Sequence, residues 1–495
     1  MSTTTFTQLP DDLSDHASAV LEPGPPGELR VRVTPSDFEP ATRTLHAAGA
    51  RFITALRTTL PEESLARVFA LRGELIMLRQ TLQDLGEEPY PQVGDWWPAA
   101  RWVERELAER DRGARDDGAP GFTAPDADRL ERSVEGLDVF SLPFGPVRSG
   151  VFEAIQFHIE TGGEDVPRVR TRPFFKHRGM EQRLVGLRPD VAVHVAERVA
   201  GIASVAYACA FSHAVERALE LTVSRQAQRW RVVHAELERV ACHLDVIAKE
   251  AETTALYVGQ ARFQILKEQV MRIRARLTGS RFGRGAVVPG GVREDPPVDF
   301  DELLAALERF ERDLRRDQRL FVGTASMTDR LIGSGRLPRA LVEEYGGVGP
   351  LARGSGLSTD ARHERPYGNY ERLGLRVITR RDGDAMARVN VRFGELMESM
   401  RILRQAIDHL RRRDGQLRAA LPDGATGGAF GWVEAAQGEL LIWVHVRRGI
   451  VHRVHIASPS LRNWALFDHA FPRDVLTDFA FIEHSFGLTA AGADR

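Results

Sequence analysis

The segment HRGMEQRL places His177, Arg178, Glu181 and Arg183 within one short stretch, a histidine and a carboxylate set among guanidinium groups. A carboxylate buried in such a place has its pKa raised by desolvation and can pass protons to a nearby reaction. The competing reading is a salt bridge from Glu181 to Arg178 or Arg183 that holds a turn. His177 reads as a hydrogen-bonded structural residue, because one histidine in a basic stretch specifies no site. Arg198 in ERVAGIA and Arg148 in FGPVRSG offer planar forks of donors suited to a carboxylate, a phosphate or a carbonyl oxygen. Their structural alternatives are pairs with Glu197 and Glu153. Glu236, Glu238 and His243 share a helical stretch, and Glu236 and His243 fall on one face, yet no second histidine is near and the reading is structural. VVPGGV, with Gly290 and Gly291, is a tight turn and not a phosphate loop, since neither GK[ST] nor GxGxxG accompanies it. Neither GxSxG nor HExxH occurs, so hydrolase readings have no support.

Composition narrows the setting for this chemistry. Lys+Arg number 67 against Asp+Glu 69, a formal net charge of -2, so no global field draws the chain to nucleic acid or anionic lipid. The two cysteines, Cys209 and Cys242, exclude a disulfide framework and suit a reducing, cytoplasmic compartment. The N-terminus shows neither the basic start nor the apolar run of a secretory signal. The most apolar stretch, Val199 to Phe211, is about 13 residues, short of the roughly 18 to 20 that cross a bilayer.

These residues need a scaffold of two or three parts, because 495 residues exceed one ordinary core. Residues 1–27 read as a disordered tail. Residues 28–113 read as a small α/β domain: strands at ELRVRV, RFITAL, ARVFAL and ELIMLRQ, a short helix near Ala41 to Ala50, and a helix behind Pro98. Residues 114–135, charged and Gly/Pro-rich, read as a linker. Residues 136–495 open with strands, become mainly helical, and return to strands at GWVEAAQGELLIWVHVRRGIVHRVHIA. The spacing predicts one helix over Pro189 to Val223, crowded with small residues from Ala200 to Ala210 that let another backbone or a buried ligand come close. The next helix carries Trp230, Val233, Leu237, Val240, Leu244 and Ile247 as an apolar stripe. Further helices are expected near Phe263 to Leu277 and Ala385 to Leu410. The fold class is α+β.

Several stretches, in one order, resemble a known family. YPQVGDWWPAARWVEREL, with Glu104, Arg105 and Glu106, resembles the small complex I subunit that precedes the large one. LPFGP followed by FFKHRGMEQRL, then ERVAGIASVAYACAFSHAVE, ELERVACHL, LTGSRFGRGAVVPGGV, GPLARGSG, RPYGNY and VRFGELMESMRI, resemble the large subunit of complex I and of membrane-bound nickel-iron hydrogenases. The chain thus looks like fused small and large subunits of the formate-hydrogenlyase type, and the similarity runs over nearly its whole length.

In hydrogenases of this family four cysteines hold nickel and iron, and the resemblance places Ala200, Ala203, Thr489 and Gly492 at those positions. Soft thiolates suit these metals and a methyl group binds none, so the resemblance implies a chain with no nickel-iron centre and no four-cysteine cluster of its own. Cys209 and Cys242 read as small buried apolar residues. Complex I instead bonds quinone through a tyrosine and a histidine, and here Gly201 stands at the tyrosine position, Arg148 and Phe152 at the histidines of that loop. Glu181 matches a carboxylate on the hydrogenase proton route.

The expectation is a peripheral-arm subunit of a membrane-bound oxidoreductase related to NADH:quinone oxidoreductase and energy-converting hydrogenases, held at the cytoplasmic face of the membrane by other subunits. An iron-sulfur small subunit and antiporter-like membrane subunits are the implied partners. Iron-sulfur clusters and any NADH site lie on those partners, and a quinone or similar acceptor occupies this chain's pocket. The alternative is a non-catalytic scaffold that keeps the hydrogenase fold for assembly.

Overall fold

A computed structural model describes residues 20–22, 24–59, 62–85, 92–104, 106–107, 139–149, 153–294, 296, 298–412, 415–472 and 474–495. The expected linker, most of the expected tail, Arg105 and Phe152 lie outside these residues. The chain is a mixed α+β protein whose contacts divide it into two units, residues 1–122 with 344–346 and residues 123–343 with 347–495.

The first unit is built on a five-stranded sheet of order β1-β2-β5-β4-β3, from Val20–Glu22, Glu28–Arg32, Arg51–Thr58, Ser64–Leu71 and Glu74–Thr81 in sequence order. Only β2 and β5 run parallel. β1 falls inside the segment read as a tail. It pairs antiparallel with β2, reached through the turn at Gly24–Gly27, which leaves Val20 opposite Arg32. The helix α1, Pro35–Ala47, starts earlier than expected, at a proline suited to a first helical turn, and buries Phe38, Ala41 and Leu45. Residues 100–104 and 106–107 are helical.

The second unit opens with an antiparallel sheet of β6 (Phe140–Phe144), β7 (Gln156–Thr161) and β8 (Arg168–Arg172). Two short helices follow, α2 (Met180–Leu184) and α3 (Pro189–Ala196), then the longer α4 (Ser204–Ala218), α5 (Arg225–Thr253) and α6 (Tyr257–Thr278). α5 starts where the Ser224 hydroxyl accepts from Ala227 N at 3.1 Å, satisfying one of the orphan amides of the first turn. Its stripe Trp230, Val233, Leu237, Val240, Leu244 and Ile247 is fully buried, and each such side chain contributes about 1.5–3 kcal/mol. α6, α7 (Phe300–Val322) and α8 (Ala385–Leu410) complete that core. A hairpin of β9 (Val287–Val288) and β10 (Gly291–Val292) encloses the turn expected at VVPGGV, where Gly290 and Gly291 have φ of 91° and 153°. A Cβ at Gly291 would meet Leu417 O at 1.9 Å, so only glycine fits there.

A meander of β11 (Gly427–Ala435), β12 (Gly438–Arg447) and β13 (Ile450–Ala457) lies against α4. Here the small residues of α4 find their use. A Cβ at Gly431 would stand 2.1 Å from Ala210 O and 2.3 Å from Ala214 N, so strand and helix backbones touch, and the close neighbour is a backbone. The chain ends in α9 (Phe479–Phe486) and α10 (Ala490–Asp494). Among the described residues no helix is long and apolar enough to cross a membrane.

The interior between α5, α8 and β11 is strongly ionic. Glu395 accepts from His243 at 2.8 Å and from Arg353 at 2.7 Å, and Arg353 reaches Glu434 at 2.8 Å. Arg362 joins Asp360 at 2.7 Å to Glu236 at 3.0 Å, and Glu236 also accepts from Tyr370 and Ser399 at 2.6 Å each. This accounts for Glu236 and His243, which share a helix face yet serve different partners.

Candidate functional site

The single helix expected over Pro189 to Val223 is broken at the RVAGIA motif. α3 ends at Ala196, Ala200 is extended at φ -136° and ψ 119°, Gly201–Ala203 form one 3-10 turn, and α4 starts at Ser204. The break is held from both sides. Arg178 donates to Arg198 O at 3.1 Å and Val199 O at 2.5 Å, carbonyls that a continuous helix would have used itself. The Glu238 carboxylate accepts from Val205 N at 2.8 Å and Ala206 N at 2.9 Å, where an acid satisfies the orphan amides and the positive end of α4. Burial raises the Glu238 pKa, while Arg274, 3.1 Å away, and the two amides oppose it. Cys242 Sγ donates to Ile202 O at 2.8 Å from behind the turn.

The C-terminus is pinned in the same manner. Thr489 caps α10, accepting from Gly492 N at 3.3 Å and donating to Glu153 at 2.5 Å, while Ala490 N also donates to Glu153. Asp494 accepts from Phe174 N at 2.8 Å and Lys176 N at 2.7 Å, and its carbonyl takes the His177 Nδ1 proton at 2.7 Å. Burial pushes the Asp494 carboxyl up to about 6, against the pull of those amides and Arg495.

Glu181 does not pair with Arg178 or Arg183. Arg178 directs its fork at carbonyls, and Arg183 Nε donates to Arg178 O at 2.9 Å. The buried Glu181 carboxylate instead accepts from Ile456 N at 2.8 Å, with Arg495 at 3.4 Å and His455 at 3.5 Å. Its cationic partner is the last residue of the chain, which sequence distance hid. Arg148 likewise departs from its expected pairing with Glu153. It forms a bidentate pair with Glu483 at 2.6 and 2.8 Å, its guanidinium 5.1 Å from the rings of both Phe144 and Phe157, while Glu153 is bonded by the first turn of α10. Arg148 is thus a buried strut and not an anchor for an acidic ligand. Arg198 is half-exposed, bonded to His194 O and 3.9 Å from Glu197.

One guanidinium gathers the scattered motifs: Arg178 Nη2 bonds both Val199 O and, at 3.3 Å, Ala491 O. That joins the turn of Ala200, Gly201 and Ala203 to the helix of Thr489 and Gly492. Tyr207, one turn past Ala203, completes the contact, since a Cβ on Gly492 would lie 3.2 Å from its hydroxyl and 3.5 Å from Ser458 Oγ. Burial pushes the Tyr207 phenol up to about 12, opposed by its bond to Ser458 and by Arg495 and Arg178. Gly201 faces outward, and the nearest atom to a Cβ there is Arg284 Nη2 at 4.0 Å. The sequence reading missed Tyr207 and Ser458 and gave Glu153 and Glu238 other parts, the one as a partner of Arg148 and the other as a structural residue of its helix. Of these only Tyr207, the one aromatic residue in a run of small ones, gave a local signal.

This donor set does not fit a nickel-iron centre. Ala200 and Ala203 present methyl groups, Gly492 presents no side chain, and the Thr489 hydroxyl is committed to Glu153. Cys209 and Cys242 are buried elsewhere, with their thiol pKa values raised by desolvation, Cys209 to about 12. Among the described residues no group of three or more His, Cys, Asp or Glu side chains could hold a metal ion.

Comparison with known proteins agrees on one lineage. Residues 251–426 match the family model described as the respiratory-chain NADH dehydrogenase 49 Kd subunit. The membrane-bound hydrogenase subunit alpha of Pyrococcus furiosus is 30% identical over 62% of this chain and 76% of its own length. The second D-type subunit of the NADH-quinone oxidoreductase of Anaeromyxobacter dehalogenans is 31% identical over 74% of this chain and 98% of its own. Formate hydrogenlyase subunit 5 of Escherichia coli is 26% identical, over 83% of this chain and 78% of its own. Among solved structures, a chain of the membrane-bound sulfane sulfur reductase, an archaeal respiratory membrane complex, matches with a TM-score of 0.68 and 25% identity, over 72% of this chain and 99% of that one. The chain therefore belongs to the family of complex I 49-kDa subunits and membrane-bound hydrogenase large subunits.

Proposed function

We propose that this protein is a peripheral-arm subunit of a membrane-bound oxidoreductase complex that works without a nickel-iron centre and receives a quinone-like two-electron acceptor at the face around Gly201. Electrons come from an iron-sulfur small subunit, antiporter-like membrane subunits anchor the assembly at the cytoplasmic face, and any NADH site lies on another subunit. The observation that carries this reading is the pairing of an open outward face at Gly201 with a closed set of titratable groups behind it. At that face the half-exposed Arg198 supplies donors to a carbonyl oxygen. Behind it, the buried Glu181 carboxylate beside His455 offers a place to carry a proton, with Arg495 holding the carboxylate, and His177 is held in position through Asp494.

A second reading is a scaffold subunit without turnover. It draws support from Thr489 and Gly492, which serve helix capping and packing where relatives carry metal ligands. The experiment that separates them is purification of the complex with its partners, followed by assays of quinone reduction, sulfane sulfur reduction and hydrogen evolution beside metal analysis. Sulfane sulfur belongs in the assay because the matched reductase acts on it and because exposed arginines suit an anionic acceptor. Acceptor reduction without nickel, lowered when Gly201 or Arg198 is replaced by a bulky residue, is expected. An intact complex idle toward every acceptor points to the scaffold, and hydrogen evolution that tracks nickel bound to this chain defeats both readings.

A further inference from the structure

One carboxyl group stands outside the ion-pair network of the interior. Glu250 lies two turns beyond His243 on α5 and is fully buried, and among the described residues neither of its carboxylate oxygens has a hydrogen-bond partner. Two arginines of α8 face it, but both are bound to neutral acceptors. Arg388 donates to Ser485 Oγ at 2.9 Å, Gly335 O at 2.9 Å and Gly383 O at 2.8 Å. Arg392 donates to Arg388 O at 3.1 Å and Phe486 O at 2.9 Å. The acids nearest in charge to these arginines are Asp384, Glu395 and Asp474, beside Glu250 itself. From α9, His484 bonds Thr253 Oγ1 at 2.8 Å, one turn along α5 from Glu250.

The contrast with its neighbours is informative. Glu236, Glu395, Asp360 and Glu434 each accept two or more hydrogen bonds, as an ionised carboxylate in a dry interior must. Glu250 accepts none. A negative charge held there would bear the desolvation cost with no hydrogen bond to offset it and only the field of Arg388 and Arg392 in its favour, whereas a neutral carboxylic acid loses far less solvation on burial. Each of the two arginines keeps one buried N–H without a partner among the described residues, Arg388 Nη2 and Arg392 Nε, and neither reaches the Glu250 carboxylate at hydrogen-bond distance.

We infer that Glu250 is a proton-holding site, separate from the Gly201 face, that carries a bound proton in the resting protein and exchanges it with solvent past Thr253 and His484. Uptake forms the O–H bond of the acid and release returns a proton to water, so the step needs no other reactant. Release places a charge between α5 and α8 opposite Arg388 and Arg392, which gives the interior two electrostatic states. The inference does not depend on which acceptor the complex reduces.

Infrared difference spectra between the full chain and Glu250→Gln at neutral pH test it. The wild type is expected to show a protonated-carboxyl carbonyl band that the variant lacks and that shifts slowly after transfer to deuterated water. The variant, a neutral isostere, is expected to melt at the same temperature or higher. Absence of that band from the difference spectrum overturns the inference. A Glu250→Gln chain that fails to fold also overturns it, because a neutral amide can do such harm only where a charge was required.

Discussion

The Gly201 turn and the ionic interior between α5 and α8 are both rich in charged side chains, but those of the turn hold backbone while those of the interior hold one another. Arg178 bonds three carbonyls, Glu238 two amides and Asp494 two more. In the interior, Arg353 alone touches Glu395, Glu434 and Asp360. A charge bonded to a backbone group fixes where a loop lies, whereas a charge bonded to another charge fixes whether a core survives. The Gly201 turn thus tolerates change of side chain so long as its clamps remain, and the interior does not.

The comparison predicts its largest effect at Arg353. Arg353→Met leaves three buried carboxylates short of a cation, and breaking a buried pair of this kind costs about 3–5 kcal/mol. Chemical denaturation should show that loss. Adding Glu434→Gln removes one of the stranded charges and should recover part of it, a coupling that a double-mutant cycle measures directly. Simple additivity of the two changes would show that the interior is not a network.

A smaller effect belongs to the C-terminal clamp near the Gly201 turn and depends on pH. Folded Asp494 keeps its proton up to about 6, while its ordinary value is 3.8. Between these values the folded state binds more protons than the unfolded, so stability is full at the acid end and falls as pH rises through the window. Asp494→Asn should remove that part of the slope. Asp468 and Asp474, raised by burial to about 7 and about 6, contribute a similar decline that should persist in the variant. An unchanged slope in Asp494→Asn would mean that the carboxyl is already ionised under α10.

These contrasts explain what could be read from the chain alone. Periodicity located α5 through Trp230 to Ile247 and placed α8 over Ala385 to Leu410, because burial of one stripe dictates spacing. Four of the five strands of the first sheet followed from β-branched and apolar runs, and β1 did not. The break at Ala200 was not legible, since alanine favours a helix and only a distant guanidinium, Arg178, and a distant carboxylate, Glu238, overrule it. The partners of Glu181 and Arg148 were hidden for the same reason: Arg495 and Glu483 lie 314 and 335 residues away. Motif order carried the family, while the geometry of the site rests on contacts that only the folded chain creates.

The smallest structural effect should come from the substitution with the largest side chain. At Gly201 a new side chain meets open space, with Arg284 the nearest neighbour at 4.0 Å, so Gly201→Trp should leave stability within roughly 0.5 kcal/mol while it covers the face offered to an acceptor. Gly431→Ala adds a single methyl but drives it to 2.1 Å from Ala210 O, where the β11 and α4 backbones must part. The pair therefore inverts ordinary expectation: the alanine variant should melt far below the wild type, and the tryptophan variant should melt with it yet lose acceptor reduction. Equal melting of all three proteins would show that α4 and β11 are not in such contact, and full activity in Gly201→Trp would move the acceptor away from this turn.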